Sequence, residues 1–317
     1  MSLRQLFERY IQLRRSLGYD YRTAERALRR FIIFAEEQNA QIITTGLFLA
    51  WQKAFGQAKP GTWAARLSMV RMFAQWLHGH DSAHEVPPVG LIPDRNRRGQ
   101  PYIYSEAEIA TIIHAAAQLP SVYGMRGWTH STLIGLIAVT GLRISEALGL
   151  DGEDVDLETG VLRVRHGKLG KERLLPLSDS VVARLTTYSA QRDRLLGKIP
   201  TAYFVNENGE RITDCGARYN FSHVCQSIGL RDAQRYGRHG RGPRIHDLRH
   251  SFAARTMIDW YRSGKDADRE MIKLVTYLGH INPKSTYWYI EAVPELLALA
   301  SARLEPPGHA LNGEVAP

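Results

Sequence analysis

A mainly α-helical fold with one small antiparallel β-sheet, divided into two domains, is what this sequence of 317 residues predicts. Three features carry that reading. Apolar residues recur at helical spacing through most of the chain, while a single stretch, residues 161–177, alternates as paired strands do. A run of Pro, Gly and Arg without periodicity then interrupts the chain between residues 80 and 101. The 44% of hydrophobic residues, against 23% charged, suffices to bury a core.

The first domain, residues 1–80, reads as four helices. Residues 3–17 form the first, ended by Gly18. Residues 22–38 form the second, with Leu28, Phe31, Ile32 and Ala35 on one side and Arg22, Arg26 and Arg29 on the other. Residues 45–55 give a shorter third helix. Residues 62–77 give a fourth, after the Pro60-Gly61 break, with Trp63, Leu67, Val70, Ala74 and Leu77 as its apolar stripe. Residues 81–101 read as the linker, and its Arg95, Arg97 and Arg98 could follow a phosphate backbone between domains.

The second domain, residues 102–317, opens with Ser105 as N-cap of a helix to about residue 118, with Glu106 and Glu108 in its first turn. Residues 131–139 are apolar nearly all round, as in a buried helix ending near Gly141. Residues 161–165 and 173–177 form the hairpin, with Lys168 at its tip. Helices are expected over 180–196 and 214–227, and a short strand and turn at 203–209. Six arginines against two aspartates between residues 229 and 250 suggest a loop that orders against a phosphate backbone. Helices then start near residues 246, 268 and 284, and a last one covers 294–303.

Charge narrows the partners. The chain carries 41 Lys+Arg against 32 Asp+Glu, a net +9. Residues 1–80 hold 12 basic and 5 acidic residues, so 12 − 5 = +7 sits in the first quarter. Such an excess points to a polyanion, with nucleic acid ahead of a membrane surface. Two cysteines, Cys215 and Cys225, give no disulfide framework. With no apolar signal core and no apolar run long enough for a bilayer, a cytoplasmic protein without a membrane partner is expected.

The chemistry lies in scattered polar residues. Arg143 stands in Thr140-Gly141-Leu142-Arg143-Ile144-Ser145-Glu146, and Lys168 in Gly167-Lys168-Leu169-Gly170-Lys171-Glu172-Arg173. His246 and Arg249 stand in His246-Asp247-Leu248-Arg249-His250, His280 ends Leu278-Gly279-His280, and Tyr289 follows nine residues later. Attack on a phosphodiester heaps negative charge on the non-bridging oxygens, so catalysis there is positioning plus electrostatic stabilisation. Arginine forks from separate segments can hold those oxygens, and His246, one turn from Arg249, can donate to them. A lysine of lowered pKa can protonate the leaving 5′-oxygen. A tyrosine nucleophile stores the bond energy as a phosphotyrosine.

Competing readings fit less well. His246 and His250 stand at zinc-protease spacing but lack the intervening Glu and a third ligand. Cys215, His223 and Cys225 lack ligand spacing and read as buried thiols, and His78, His80 and His84 read as a solvated loop. Gly167-Lys168 lacks the glycine spacing of a nucleotide loop.

Taken in order and spacing, these residues resemble the tyrosine recombinase (lambda-integrase-like) family. The Arg143, His246–Arg249 and His280 segments look like its three boxes, and the Lys168 segment like its β-hairpin. Tyr289 lies at the family's distance beyond His280, whereas Tyr287, two residues away, would point elsewhere on a helix. The resemblance implies that Arg143, Lys168, His246, Arg249, His280 and Tyr289 are catalytic and that Glu146 supports Arg143. It also implies a helical core-binding domain and a catalytic domain closing as a C-shaped clamp on double-stranded DNA. The reaction implied is integration, excision or transposition of a mobile element, with neither metal nor cofactor. The working form would be a homotetramer on two sites, possible partners being related recombinases or accessory proteins, and the final helix, with Leu296, Leu297, Ala300 and Leu304, would reach a neighbouring protomer. Candidate DNA contacts are Arg22, Arg26, Arg29, Lys59, Arg66 and Arg241, although the arginine face of the second helix also reads as a solvated surface. The segment 259–268 reads as a loop longer than in compact Xer-type members. A chromosome-dimer resolvase of Xer type, a type IB topoisomerase-like enzyme and a DNA-binding accessory protein are the alternatives.

Overall fold

The computed structural model describes residues 1–93, 100–165, 172–232, 242–279 and 284–304. Two compact units follow one another, Met1–Gly99 and Gln100–Pro317.

In the first unit, α1 (Leu3–Ser16) starts at a reciprocal cap, in which Ser2 and Gln5 each accept the other's amide. It is followed by α2 (Arg22–Glu37), α3 (Thr45–Ala54) and α4 (Pro60–His78). Pro60 occupies the first position of α4, where its missing N–H costs nothing, so this helix begins two residues earlier than expected. The four apolar stripes meet in an aromatic core of Phe7, Tyr10, Phe31, Phe48, Trp51, Trp63 and Phe73. Trp51 and Trp63 pack edge to face with centroids 5.2 Å apart.

Much of the expected linker belongs to this unit. His84 is buried and its Nδ1 accepts the Ile43 amide at 3.1 Å. The Glu85 amide donates to the Ile43 carbonyl, and Leu91 and Ile92 pack on the core. The histidines that read as a solvated loop are fixed to backbone, His78 to the His84 carbonyl and His80 to that of Trp76.

The second unit is built around α6 (Met125–Thr140), which packs against α5 (Glu106–Ala117), α8 (Asp179–Leu196) and α10 (Ile245–Arg262). Burial on nearly every side explains its apolar sequence. It begins six residues before the expected 131 because buried polar residues find partners, as when the Thr129 hydroxyl donates to the Val205 carbonyl at 3.0 Å. After α6 come the short helix α7 (Ile144–Leu148) and three antiparallel strands, β1 (Val155–Asp156), β2 (Val161–Val164) and β3 (Arg173–Pro176), in the order β1-β2-β3. Leu162 pairs with Leu175 and Val164 with Arg173. Side chains alternate across a strand, so Arg173 shares the inward face of Leu175 while Leu174 is exposed.

The remaining helices are α9 (Asp214–Ser227), α11 (Ala267–Leu278), α12 (Lys284–Ala292) and α13 (Pro294–Leu304). Three expectations change. Residues 203–205 are no strand; single bridges, Asp151 to Ala202 and Val205 to Arg211, flank a turn held by the Asn206 side chain. The expected loop 259–268 is mostly helix, since α10 runs to Arg262 and only Ser263 to Asp266 connect it to α11. Of the two thiols Cys225 is buried, but Cys215 is exposed. α13 lays Leu296, wholly buried, against the core of its own chain and leaves Leu297 exposed.

Candidate active site

The C-terminus of α11 organises the site. A helix end leaves its last carbonyls without partners and carries partial negative charge, so it attracts cations. Three arginines from three segments answer it. Arg173 Nε donates to the Tyr277 carbonyl at 2.9 Å, Arg249 Nη2 to that of Leu278 at 2.7 Å, and Arg143 Nη2 to that of Gly279 at 3.0 Å. Gly279 closes the helix in the left-handed conformation, φ +64°, which glycine adopts without strain.

Glu146 supplies the counter-charge. Its carboxylate accepts from Arg143 Nη1 at 2.6 Å and the Arg143 amide at 2.9 Å, and from Arg173 at 3.1 and 2.8 Å. Burial opposes its ionisation, but the Arg173 hydrogen bonds, the Arg143 amide and the two positive charges outweigh that and hold the carboxyl below its ordinary value. Arg249 differs. It is 1% exposed, its guanidinium donates to the Gly141 and Leu278 carbonyls, and it forms no ion pair among the described residues. Burial first, and the charge of Arg143 second, lower its pKa to about 10, so it stays charged at neutral pH. A buried cation held by neutral carbonyls is electrostatically prepared for an incoming anion.

His246, Arg249 and His250 fall within five consecutive residues of α10. The His246 pKa is pushed down to about 4, by burial and then by the charge of Arg249, which leaves a neutral ring at pH 7. On α12, Tyr289 is 1% exposed, its hydroxyl lies 2.7 Å from His250 Nδ1, and its phenol is within electrostatic range of Arg249. Tyr287 is 43% exposed, as expected for a residue two positions away on a helix.

Arg143, Glu146, Arg249, His246 and Tyr289 therefore gather in one region, while Lys168 and His280 lie outside the described residues. Sequence reasoning did not single out Arg173, and it weighed His250 only as half of a zinc-like pair. The inward parity of Arg173 with Leu175 was the available signal, since a buried cation needs an anion. For His250 it was the four-residue spacing from His246.

Gly141 ends α6 at φ +63°, its carbonyl accepts from Arg249 Nη1 at 2.6 Å, and a Cβ there would sit 2.5 Å from Phe252 Cδ1. Gly141→Ala is expected to lose about 1–3 kcal/mol from overpacking and about 1–2 kcal/mol from left-handed strain. Gly18→Ala, at φ +80° with nothing within 4 Å, suffers the strain alone. Denaturant unfolding of the two variants checks the difference.

The candidate DNA contacts divide. Arg22 pairs with Asp20 at 2.8 Å, and Arg29 with Glu8 at 3.0 Å and Glu25 at 3.1 Å, so both are neutralised. Arg26 and Lys59 are exposed and carry no ion pair among the described residues, and Arg241 lies outside those residues. Arg66 lies over Trp63, Phe55 and Trp51, 4.5, 5.1 and 5.8 Å from their centroids, and its buried Nη1 has no hydrogen-bond partner among the described residues. Arg30 lies over the same Phe55, and burial followed by the Arg30 charge lowers the Arg66 pKa. Two cations repelling one another are relieved by a phosphate. Arg66→Ala should weaken DNA binding and reduce the log–log salt slope by about 0.9 for each phosphate left unneutralised, with Arg29→Ala changing it less; fluorescence anisotropy across a salt series measures both.

Comparison with known proteins places the chain. Its fold is similar to that of the Tn1549 transposon integrase in complex with transposon right-end DNA, with TM-score 0.64 and 17% identity over 96% of this chain and 99% of that one. In sequence, it is 38% identical over 309 residues, 96% of this chain and 97% of the relative, to the Sinorhizobium fredii protein named integrase/recombinase y4rB. It is 28% identical to the tyrosine recombinase XerC of Pelotomaculum thermopropionicum, over 79% of this chain and 76% of the relative. The model of the phage integrase family matches residues 104–295. The chain belongs to the phage integrase family, the tyrosine recombinases.

Proposed function

We propose that this recombinase cuts and rejoins double-stranded DNA at specific sites, with Tyr289 as nucleophile, to integrate, excise or transpose a mobile element. One observation carries the assignment of residues. The phenol of Tyr289 is buried within electrostatic range of Arg249, a cation held by backbone carbonyls and without an ion pair among the described residues.

In this reading a scissile phosphate docks on Arg143 and Arg249, and His246 donates to a non-bridging oxygen. The Tyr289 oxygen attacks phosphorus, the 5′-oxygen leaves, and a 3′-phosphotyrosine remains that a second 5′-hydroxyl can reverse without ATP. Lys168 as general acid and His280 as a further donor enter through the family resemblance. Glu146 positions Arg143 and Arg173 without touching DNA. Residues 1–80 act as the core-binding domain and 102–317 as the catalytic domain, clamped on the duplex, and four copies work on two sites. The mobile-element role is supported by the integrase/recombinase name of the 38% relative and the fold likeness to a transposon integrase.

The DNA flanking the gene supplies the candidate sites. A supercoiled plasmid carrying both flanks should yield two recombinant products with the purified protein. Relaxation without exchange would favour a nicking-closing enzyme, and binding without either would favour an accessory protein.

A further inference from the structure

His250 directly follows Arg249 in α10 and places Nδ1 2.7 Å from the Tyr289 hydroxyl. Both side chains are buried, at 5% and 1% exposure. The ring is held on several sides: the His246 ring meets it at 4.7 Å and 81°, that of Trp288 at 5.7 Å and 64°, and that of Tyr289 at 5.4 Å and 60°. Such packing fixes the direction in which Nδ1 points. With the ring proton on Nε2, Nδ1 accepts the phenolic hydrogen.

From this contact we infer that His250 is a catalytic residue that takes the Tyr289 proton as the oxygen–phosphorus bond forms and returns it when the strand is rejoined. The inference rests on the nucleophile proposed above and supplies the partner that a phenol needs. A phenol ionises near pH 10, so at neutral pH attack requires an acceptor within hydrogen-bond reach, and imidazole is the side chain suited to that task. Arg249, the preceding residue in α10, lies within electrostatic range of the same phenol.

The step balances. On cleavage the Tyr289 oxygen bonds to phosphorus, the bond from phosphorus to the 5′-oxygen breaks, and the phenolic proton passes to Nδ1. The departing 5′-oxygen takes a proton from the general acid, the role given to Lys168. One proton is gained by the histidine and one lost by the acid, and religation moves both back.

Single-turnover adduct formation on a nicked suicide duplex built from the flanking DNA tests this with the full chain. His250→Asn keeps an acceptor oxygen near the Nδ1 position but cannot hold a proton. It should bind the duplex as wild type does and form the adduct about 10²–10³-fold more slowly. Fluorinated tyrosine at position 289, which ionises more readily, should recover at least about tenfold of that loss. A 5′-bridging phosphorothiolate, whose leaving sulfur needs no proton, should restore Lys168→Ala but not His250→Asn. If H250N does not melt cooperatively, His250→Ala supplemented with free imidazole replaces it, and imidazole should restore the rate. An adduct rate for H250N within about threefold of wild type, or a slow variant that neither fluorotyrosine nor imidazole improves, overturns the inference while leaving the nucleophile intact. Absence of any adduct with wild type overturns the nucleophile itself.

Discussion

A Tyr289→Phe protein is expected to bind DNA with wild-type affinity and to form no covalent adduct. The substitution deletes one oxygen and retains the buried ring, which belongs to the same hydrophobic core as Leu278, Val293 and Leu296. Leaving His250 Nδ1 without this partner costs about 1–3 kcal/mol, which the fold should tolerate because the ring contacts with His246 and Trp288 remain. The neighbouring Tyr287 does not share this buried position, being 43% exposed. Tyr287→Phe should therefore keep full activity, and denaturing gels of a radiolabelled suicide duplex read both variants.

The largest effect on stability is expected at Glu146. It is 5% exposed and is the carboxylate shared by Arg143 and Arg173. Glu146→Gln preserves size but leaves the Arg143 and Arg173 guanidiniums without their anion, with the buried Arg249 close by. Breaking a buried pair by removing one partner costs about 3–5 kcal/mol, so the variant should unfold at distinctly lower denaturant. The pH dependence has a definite sign. The folded carboxyl lies below its ordinary value of 4.5, so its contribution is full above that pH and is lost as pH falls through the folded value. The gap between wild type and variant should be full at neutral pH and close in acid, below about 4.5. With the proposed phosphate-binding role of Arg143, cleavage should fail as well, because Arg143 loses the carboxylate that fixes it beside the Gly279 carbonyl. A gap that widened toward acid would contradict the assignment.

The long helices were legible in the sequence because each has an apolar stripe and a chemical boundary. Ser105 and Glu108 cap α5 reciprocally, and Asp214 to Ser227 falls where spacing placed it. What escaped was short or set by distant partners. α7 has five residues, too few for a period to show, and is fixed by Glu146 reaching back to the Arg143 amide. β1 has two residues and exists through pairing with β2. The first half of the linker looked like coil because its anchors are single contacts, from His84 and Glu85 to Ile43. Residues 259–262 lacked an apolar pattern of their own and continue α10 because Trp260 packs inward.

The site was legible in its ingredients but not in its connections. Motif spacing marked Arg143, His246, Arg249 and Tyr289, the family resemblance added Glu146, and neither can display backbone carbonyls. The end of α11, where three guanidiniums converge, becomes visible only with the chain folded. Neutralisation of Arg29 was half legible, since Glu25 stands one turn before it in α2, whereas Glu8 reaches it only through helix packing and Asp20 reaches Arg22 through a local turn. His250 stood in the zinc-like pair of histidines, where the absent glutamate argued against metal but could not reveal the phenol on α12.

Peptide mapping of the trapped complex tests the central claim most directly. After proteolysis and mass spectrometry the nucleotide should be found on the peptide containing Tyr289, attached through its 3′-phosphate, with Tyr287 unmodified. Attachment to any other residue, or through a 5′-phosphate, would contradict the account.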